Sequence, residues 1–154
     1  MKIVILGLGN ELLGDEGVGV HAARQLQNVS LPETTSVVEV GTAILDALPF
    51  FEEADGLIVI DAMMDGKAPG TVYHLPLHQC SGAHCIASMH GFDIFRTMAL
   101  AERTEQPEVT VFGVEPEMIG WSLELSTVVS RSMDALLGAV TSEVFRMGKE
   151  STGV

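Results

Sequence analysis

Residues 3–20 read IVILGLGNELLGDEGVGV, and this stretch predicts how the chain begins to fold. The apolar run 3–6 ends in two glycines, Gly7 and Gly9, and a helical pattern follows. A β-branched run that leads through a glycine-rich loop into a helix is typical of an α/β sheet, and ligands usually bind at such a loop. Two adjacent carboxylates, Asp15 and Glu16, stand where the helix begins. We therefore expect the loop to serve a cation or a proton rather than a phosphate.

The spacing of Gly7 and Gly9 also matches the start of a dinucleotide-binding fingerprint. The third glycine of G-x-G-x-x-G would fall at Leu12, and no acid for a ribose is clearly placed about 20 residues further on. The pattern therefore disfavours a nucleotide-binding oxidoreductase, which we keep as an alternative. Taken alone, the loop favours a simpler interpretation, in which Asp15 caps the helix and Glu16 interacts with its dipole.

Composition limits the class of protein. With 154 residues the chain is long enough for one domain with a sizeable core. A net charge of -13 makes nucleic acid and anionic membranes poor partners. No apolar run approaches the roughly 18 residues of a membrane span, and no signal peptide is recognisable. We expect a soluble, cytoplasmic protein whose two cysteines are thiols.

Alternating strand and helix patterns predict a three-layer α/β/α sandwich with a five-stranded, mostly parallel twisted sheet. About ten residues separate the third and fourth strands, too few for a helical crossover, so the fourth strand is expected to be antiparallel. A single domain over residues 1–148 is followed by a tail, 149–154, that we expect to be frayed. The predicted strands are 2–6, 36–40, 56–60, 71–75 and 108–114, and the predicted helices are 16–28, 43–53, 91–103 and 126–148.

Acidic residues follow or end three of the predicted strands. If the strand order begins 2-1-3, Glu16, Glu39 and Asp61 lie along one edge of the sheet, where ligands bind in such folds. Asp61 ends an otherwise apolar strand, although capping the next turn would also explain it. His90, at the start of the third helix, could complete a site for a divalent transition metal.

A second candidate metal site lies in the segment 78–85, which contains His78, Cys80, His84 and Cys85. Thiols and imidazoles are good zinc ligands, but the spacing matches no zinc-finger or zinc-ribbon pattern. Neither H-E-x-x-H nor G-x-S-x-G occurs, so the sequence predicts neither a helical zinc protease nor a serine hydrolase of that type.

Taken together, several short blocks of this sequence resemble those of the maturation endopeptidases of nickel-iron hydrogenases. The first block is Gly-x-Gly-Asn-x-Leu-Leu-x-Asp-Glu-Gly-x-Gly over residues 7–19. The blocks that follow in family order are Gly41-Thr42-Ala43, Ile60-Asp61-Ala62, Pro69-Gly70-Thr71, Ser88-x-His90 and Gly113-Val114-x-Pro116-Glu117. They extend over nearly the whole chain, which makes the resemblance far more specific than any one of them.

The resemblance implies an enzyme that removes a short C-terminal extension from the precursor of the hydrogenase large subunit after nickel insertion. At matching positions, Glu16, Asp61 and His90 would be metal ligands and catalytic residues, with nickel presented by the substrate and other divalent metals acceptable at the site. A departure from the family pattern is Glu39-Val40-Gly41-Thr42, where many members have Asp-Gly-Gly-Thr. A nickel-dependent checkpoint module that binds the precursor without cutting it is the alternative.

Two features remain open at the level of sequence. The metal would act either as a recognition signal or in catalysis, and a metal-free pair, Glu16 and Asp61 sharing a proton, is a further possibility. Trp121 would line the substrate cleft or, as we favour, be a partly buried loop aromatic.

Overall fold

A computed structural model describes residues 1–80, 96–150 and 153. In this part of the chain, five strands form one sheet in the order β2-β1-β3-β5-β4. The strands are β1 (Ile3–Leu8), β2 (Thr35–Gly41), β3 (Gly56–Ala62), β4 (Val72–Pro76) and β5 (Glu108–Val114).

Strand pairing confirms the predicted topology. β1 pairs in parallel with β2 and β3, and β3 pairs in parallel with β5. β4 pairs with β5 in the antiparallel direction, as the short connection after β3 requires. β3 extends beyond the predicted 56–60, so Asp61 lies inside the strand, in register with Gly113, rather than after it. The order beginning 2-1-3 brings the carboxyl ends of β2, β1 and β3 to one edge.

The described helices are α1 (Val18–Leu26), α2 (Leu48–Glu53) and α3 (Thr127–Glu150). Short 3₁₀ turns, Asp15–Gly17 and Ile44–Ala47, precede α1 and α2. Residues 96–100 are also helical and belong to the predicted helix 91–103, the start of which lies outside the described residues. Within the described residues, no helix is long and apolar enough to cross a membrane.

The end of α3 lies further along the chain than the sequence suggests. The helix continues through Glu150 and therefore includes the first two residues of the segment 149–154, which we expected to be frayed. An ion pair explains the extension, since Arg146 donates to the carboxylate of Glu150 at 2.7 Å, one turn later on the same face.

Alternating side chains of the central strands build two cores. On one side of the sheet, Ile3, Ile5, Ile58 and Ile60 pack with α1 and α3. On the other side, their neighbours in the two strands pack with α2 and the 3₁₀ turn before it; these are Val4, Leu6, Leu57 and Val59. Every position of β1 and β3 is consequently buried, as in a sheet covered on both faces.

A buried carboxylate joins α3 to the sheet. Glu143 is 4% exposed and accepts hydrogen bonds from Thr110 Oγ1 at 2.7 Å and from Arg146 Nε at 2.8 Å. The Arg146 guanidinium lowers the pKa of Glu143 and outweighs the opposing effect of burial. Arg146 also pairs with Glu108 at the start of β5. This group of charges therefore fixes α3 against β5.

Replacement of Arg146 by methionine should destabilise the fold, because Glu143 would lose its counter-ion while its carboxylate stays buried. We expect a loss of about 2 kcal/mol in the free energy of unfolding, less than for a fully buried pair because the guanidinium is partly exposed. Urea unfolding at neutral pH measures this. The matched control is Arg131→Met on the exposed face of the same helix, and equal stability of the two variants would contradict the assignment.

Candidate active site

Backbone contacts between glycines place the start of α1 directly on the ends of β1 and β3. A methyl group at Gly7 would lie 2.3 Å from the carbonyl oxygen of Gly19. One at Gly19 would lie 2.1 Å from the carbonyl oxygen of Ile60. Such distances exclude any side chain, so glycine is required at both positions. The helix start is thereby fixed against the carboxyl ends of both strands.

Gly9 lies between the main chain of Glu16 and the carboxylate of Asp61, two of the three predicted ligands. Its φ of +112° lies in a region that residues with side chains rarely adopt. A methyl group at Gly9 would lie 1.9 Å from the carbonyl oxygen of Glu16 and 3.3 Å from Asp61 Oδ1. The main chain of Glu16 and the carboxylate of Asp61 thus border the same small space, as the prediction of a shared edge requires.

Asp61 is a buried carboxylate, 4% exposed, near the end of β3. Its Oδ1 accepts the main-chain N–H of Ala62 at 2.8 Å, which orients the carboxylate at the edge of the sheet. The following turn has another partner, because Glu115 accepts the N–H groups of Asp65 at 2.8 Å and Gly66 at 3.3 Å. Glu115 therefore binds main-chain donors of this turn, while Asp61 binds the N–H of Ala62 before it.

Glu115 is a structural carboxylate that the sequence analysis did not single out. It is 7% exposed and also accepts a hydrogen bond from the hydroxyl of Tyr73 at 2.7 Å. Burial and the neighbouring Glu115 charge raise the pKa of Tyr73 to about 12. The sequence does contain a sign of this role, because Glu115 is a charged residue directly after strand β5. Asp61 stands in a similar position near the end of β3.

Asp15 does not cap the helix, contrary to the simpler interpretation of the loop. The 3₁₀ turn and α1 begin after Gly14 and Gly17, and neither has a side-chain cap. Asp15 is fully buried and reaches across to residues 117–126 instead. It accepts the N–H groups of Glu117 and Met118 at 2.9 Å each, and both the N–H and the hydroxyl of Ser126 at 2.7 Å.

These hydrogen bonds determine the charge state of Asp15. Burial alone would raise its pKa, but the donors from Met118, Ser126 and Glu117 outweigh burial and lower the pKa below the ordinary value of 3.8. The adjacent Glu16 lies half-buried in the same 3₁₀ turn. Asp15 thus anchors the segment that carries Glu16.

Glu39 lies beside the site but in a surface ion pair. Its position in β2 pairs with Gly7 of β1, so the predicted edge is shared. Its carboxylate accepts a hydrogen bond from Arg24 at 3.0 Å, and Arg24 also binds Glu11 at 3.0 Å. A groove of about 410 Å³ opens between residues 9–12 and 39–43. The structure therefore gives Glu39 a place on the wall of a groove next to Gly9.

The third predicted ligand, His90, lies outside the described residues, as do His84 and Cys85 of the alternative metal site. The remaining members of that alternative are His78, which is exposed, and Cys80, which is buried with Sγ 3.8 Å from the carbonyl oxygen of Pro76. In residues 1–80 and 96–150, no three histidine, cysteine or acidic side chains lie close enough to hold a metal ion by themselves. A three-residue site at Glu16 and Asp61 requires a ligand from elsewhere.

Trp121 is 85% exposed, which corrects the expectation of a partly buried aromatic. It lies in the loop after β5, in the segment that Asp15 holds. Hydrogen bonds to Asp15 and to the main chain of residues 12–14 hold this loop, and none of these bonds uses the indole.

Fold and local geometry together define an α/β protein with a buried aspartate, Asp61, at the carboxyl edge of a mostly parallel sheet, next to the main chain of Glu16. Comparison with known proteins identifies the class more closely. A family model of hydrogenase maturation proteases matches residues 20–143. The hydrogenase expression/formation protein HupD of Rhodobacter capsulatus is 32% identical, over 98% of this chain and 75% of its own. The hydrogenase 2 maturation protease of Escherichia coli is 29% identical, over 98% and 95%.

Solved structures agree with these sequence comparisons. The hydrogenase maturating endopeptidase HybD from E. coli superimposes with a TM-score of 0.85 at 28% identity, covering 96% of this chain and 94% of that one. HybD from Thermococcus kodakarensis gives a TM-score of 0.79 at 28% identity, covering 94% and 99%. The chain belongs to the family of hydrogenase maturation proteases. It is accordingly a peptidase rather than a nucleotide-binding oxidoreductase.

Asp15→Asn should destabilise the protein because an amide can accept only part of the hydrogen bonding that the buried carboxylate accepts. We expect a loss of about 3 kcal/mol at neutral pH, measured by urea unfolding. Since folding lowers the pKa of Asp15, its contribution is complete above pH 3.8 and is lost as the pH falls through the lowered value. The difference between wild type and variant should therefore shrink only in strong acid.

The control is Asp134→Asn, an exposed aspartate of α3, which should leave stability nearly unchanged. A difference between wild type and Asp15→Asn that disappeared already near neutral pH would contradict the assignment.

Proposed function

We propose that this protease acts in the cytoplasm on the precursor of the large subunit of a nickel-iron hydrogenase and removes a short C-terminal extension after nickel insertion. Glu16, Asp61 and His90 contact the nickel that the substrate carries. The observation that supports this proposal is the packing at Gly9, where the main chain of Glu16 and the carboxylate of Asp61 lie next to the same glycine.

The chemistry of the three side chains suits this role. Carboxylate oxygens and an imidazole nitrogen are ligands that nickel and other divalent transition metals accept. Two carboxylates and one imidazole make only a partial coordination shell, which leaves positions for ligands supplied by the substrate. The net charge of -13 favours the approach of a partner that carries a cation. A precursor without nickel would lack the group that these residues recognise.

Peptide hydrolysis at this edge needs a base and a proton donor. Water adds to the carbonyl carbon of the scissile bond, the carbon–nitrogen bond breaks, and the leaving amine takes up a proton. A carboxylate of the site is the base that accepts the proton from water and can pass it to the amine. Nickel, when presented by the substrate, fixes the peptide relative to the two carboxylates and can polarise the reacting groups.

The direct test mixes the purified protein with nickel-loaded and nickel-free precursor and measures the intact mass of the precursor over time. We expect the loaded form alone to lose the mass of its extension. Glu16→Gln, Asp61→Asn and His90→Ala should each slow this loss roughly 100-fold, because each removes a contact to the metal.

Asp134→Asn serves as the control for charge removal, since it changes an exposed aspartate on α3 away from the strand ends. An unchanged mass of the loaded precursor would refute the proposed activity on this substrate. Cleavage at the wild-type rate by the three variants would refute the site while leaving the activity intact.

A further inference from the structure

A patch of exposed apolar side chains lies beside the candidate active site. Its members are Leu12, Met118, Ile119, Trp121 and Leu123, which are between 47% and 85% exposed. Main-chain bonds hold the two segments side by side: Gly14 N–H donates to Ser122 at 2.8 Å, and Ser122 N–H donates to Leu12 at 3.0 Å. We refer to these five residues as the Trp121 patch.

The patch is held in place without help from its own side chains. Asp15 binds the N–H of Met118 and both donors of Ser126, at either end of the segment that contains Trp121. The indole of Trp121 is 85% exposed, so it buries little apolar surface and contributes little to the stability of the fold. Exposed apolar patches with a central tryptophan are typical of protein interaction sites, because such anchors contribute most of the binding energy.

The patch is continuous with the site. Leu12, Asp15 and Glu16 belong to one loop. Asp15 fastens this loop to the segment that contains Trp121 by accepting the N–H groups of Glu117 and Met118. A substrate protein that places its metal ion and scissile peptide bond at Glu16 therefore brings part of its own surface close to the Trp121 patch.

We propose that the Trp121 patch docks the folded body of the hydrogenase precursor, apart from the extension that is cut; this inference rests on the proposed function. The partner surface is an apolar depression bordered by lysine or arginine side chains, because exposed Glu117 and Glu124 flank the patch. A second copy of this chain fits poorly. A two-fold contact through the patch would bring Glu117 and Glu124 of both copies into one interface, with a net charge of -13 on each copy.

Cleavage kinetics separate docking from chemistry. Trp121→Ala should raise KM for the nickel-loaded precursor about tenfold or more and leave kcat within about twofold, because docking energy is lost while the reacting groups are untouched. Trp121→Phe should recover most of the loss. Phe145→Ala, which removes an exposed aromatic from α3, should behave as wild type. An unchanged KM for Trp121→Ala, or a fall in kcat alone, would overturn the proposal.

A binding measurement does not depend on cleavage. Trp121 is the only tryptophan of the chain, so labelling with 5-fluorotryptophan gives one ¹⁹F resonance. Adding unlabelled, nickel-loaded precursor should shift or broaden it. No change at precursor excess would overturn docking even if cleavage proceeds. A change in the resonance together with absent cleavage would refute the proposed function and leave the docking surface standing. A shift that follows the concentration of this chain alone would assign the patch to self-association and overturn the proposal.

Discussion

Direct contact between main chains at Gly7, Gly9 and Gly19 is the constraint on which the rest of the structure depends. The missing side chains let the first turn of α1 lie against the ends of β1 and β3 at distances that no Cβ atom permits. Because the backbone itself makes these contacts, the position of Glu16 relative to Asp61 does not depend on a flexible side chain. The two acidic residues come from different elements, yet the sheet and the helix start fix them as one unit.

Two buried carboxylates, Asp15 and Glu115, fasten loops at the carboxyl edge of the sheet. Each is buried and accepts main-chain N–H groups from a loop at the carboxyl edge of the sheet. Main-chain donors around a carboxylate stabilise its charged form and avoid a buried, unpaired polar group. Asp15 and Glu115 thus fasten loops near this edge, whereas the carboxylate of Asp61 lies next to Gly9. The sequence alone does not separate these roles, because all of these residues are aspartates or glutamates.

Local patterns in the sequence were sufficient to predict which strands of the sheet are parallel and which is antiparallel. Apolar strands of the right length, a short connection after β3 and helical stripes predict a mostly parallel sheet with an antiparallel β4. The order beginning 2-1-3 was a condition of the predicted shared edge, and the structure has this order. The role of Asp15 could not be predicted, because its partners lie more than 100 residues away and no spacing rule relates them. The same holds for the exposure of Trp121 and for the ion pair of Glu39, which depend on what the tertiary structure brings near them.

The bonds from Asp15 to residues 117–126 also set the order in which this protein can become complete. During synthesis the loop that carries Glu16 leaves the ribosome early, whereas Met118 and Ser126 follow about 100 residues later. Until then the Asp15 carboxylate has none of these donors, although the glycine contacts between α1, β1 and β3 can already form. A chain that ends before residue 117 contains β1 to β5 but leaves Asp15 without the partners that satisfy it in the folded protein. Completion of the carboxyl edge therefore depends on a segment that is synthesised after all five strands.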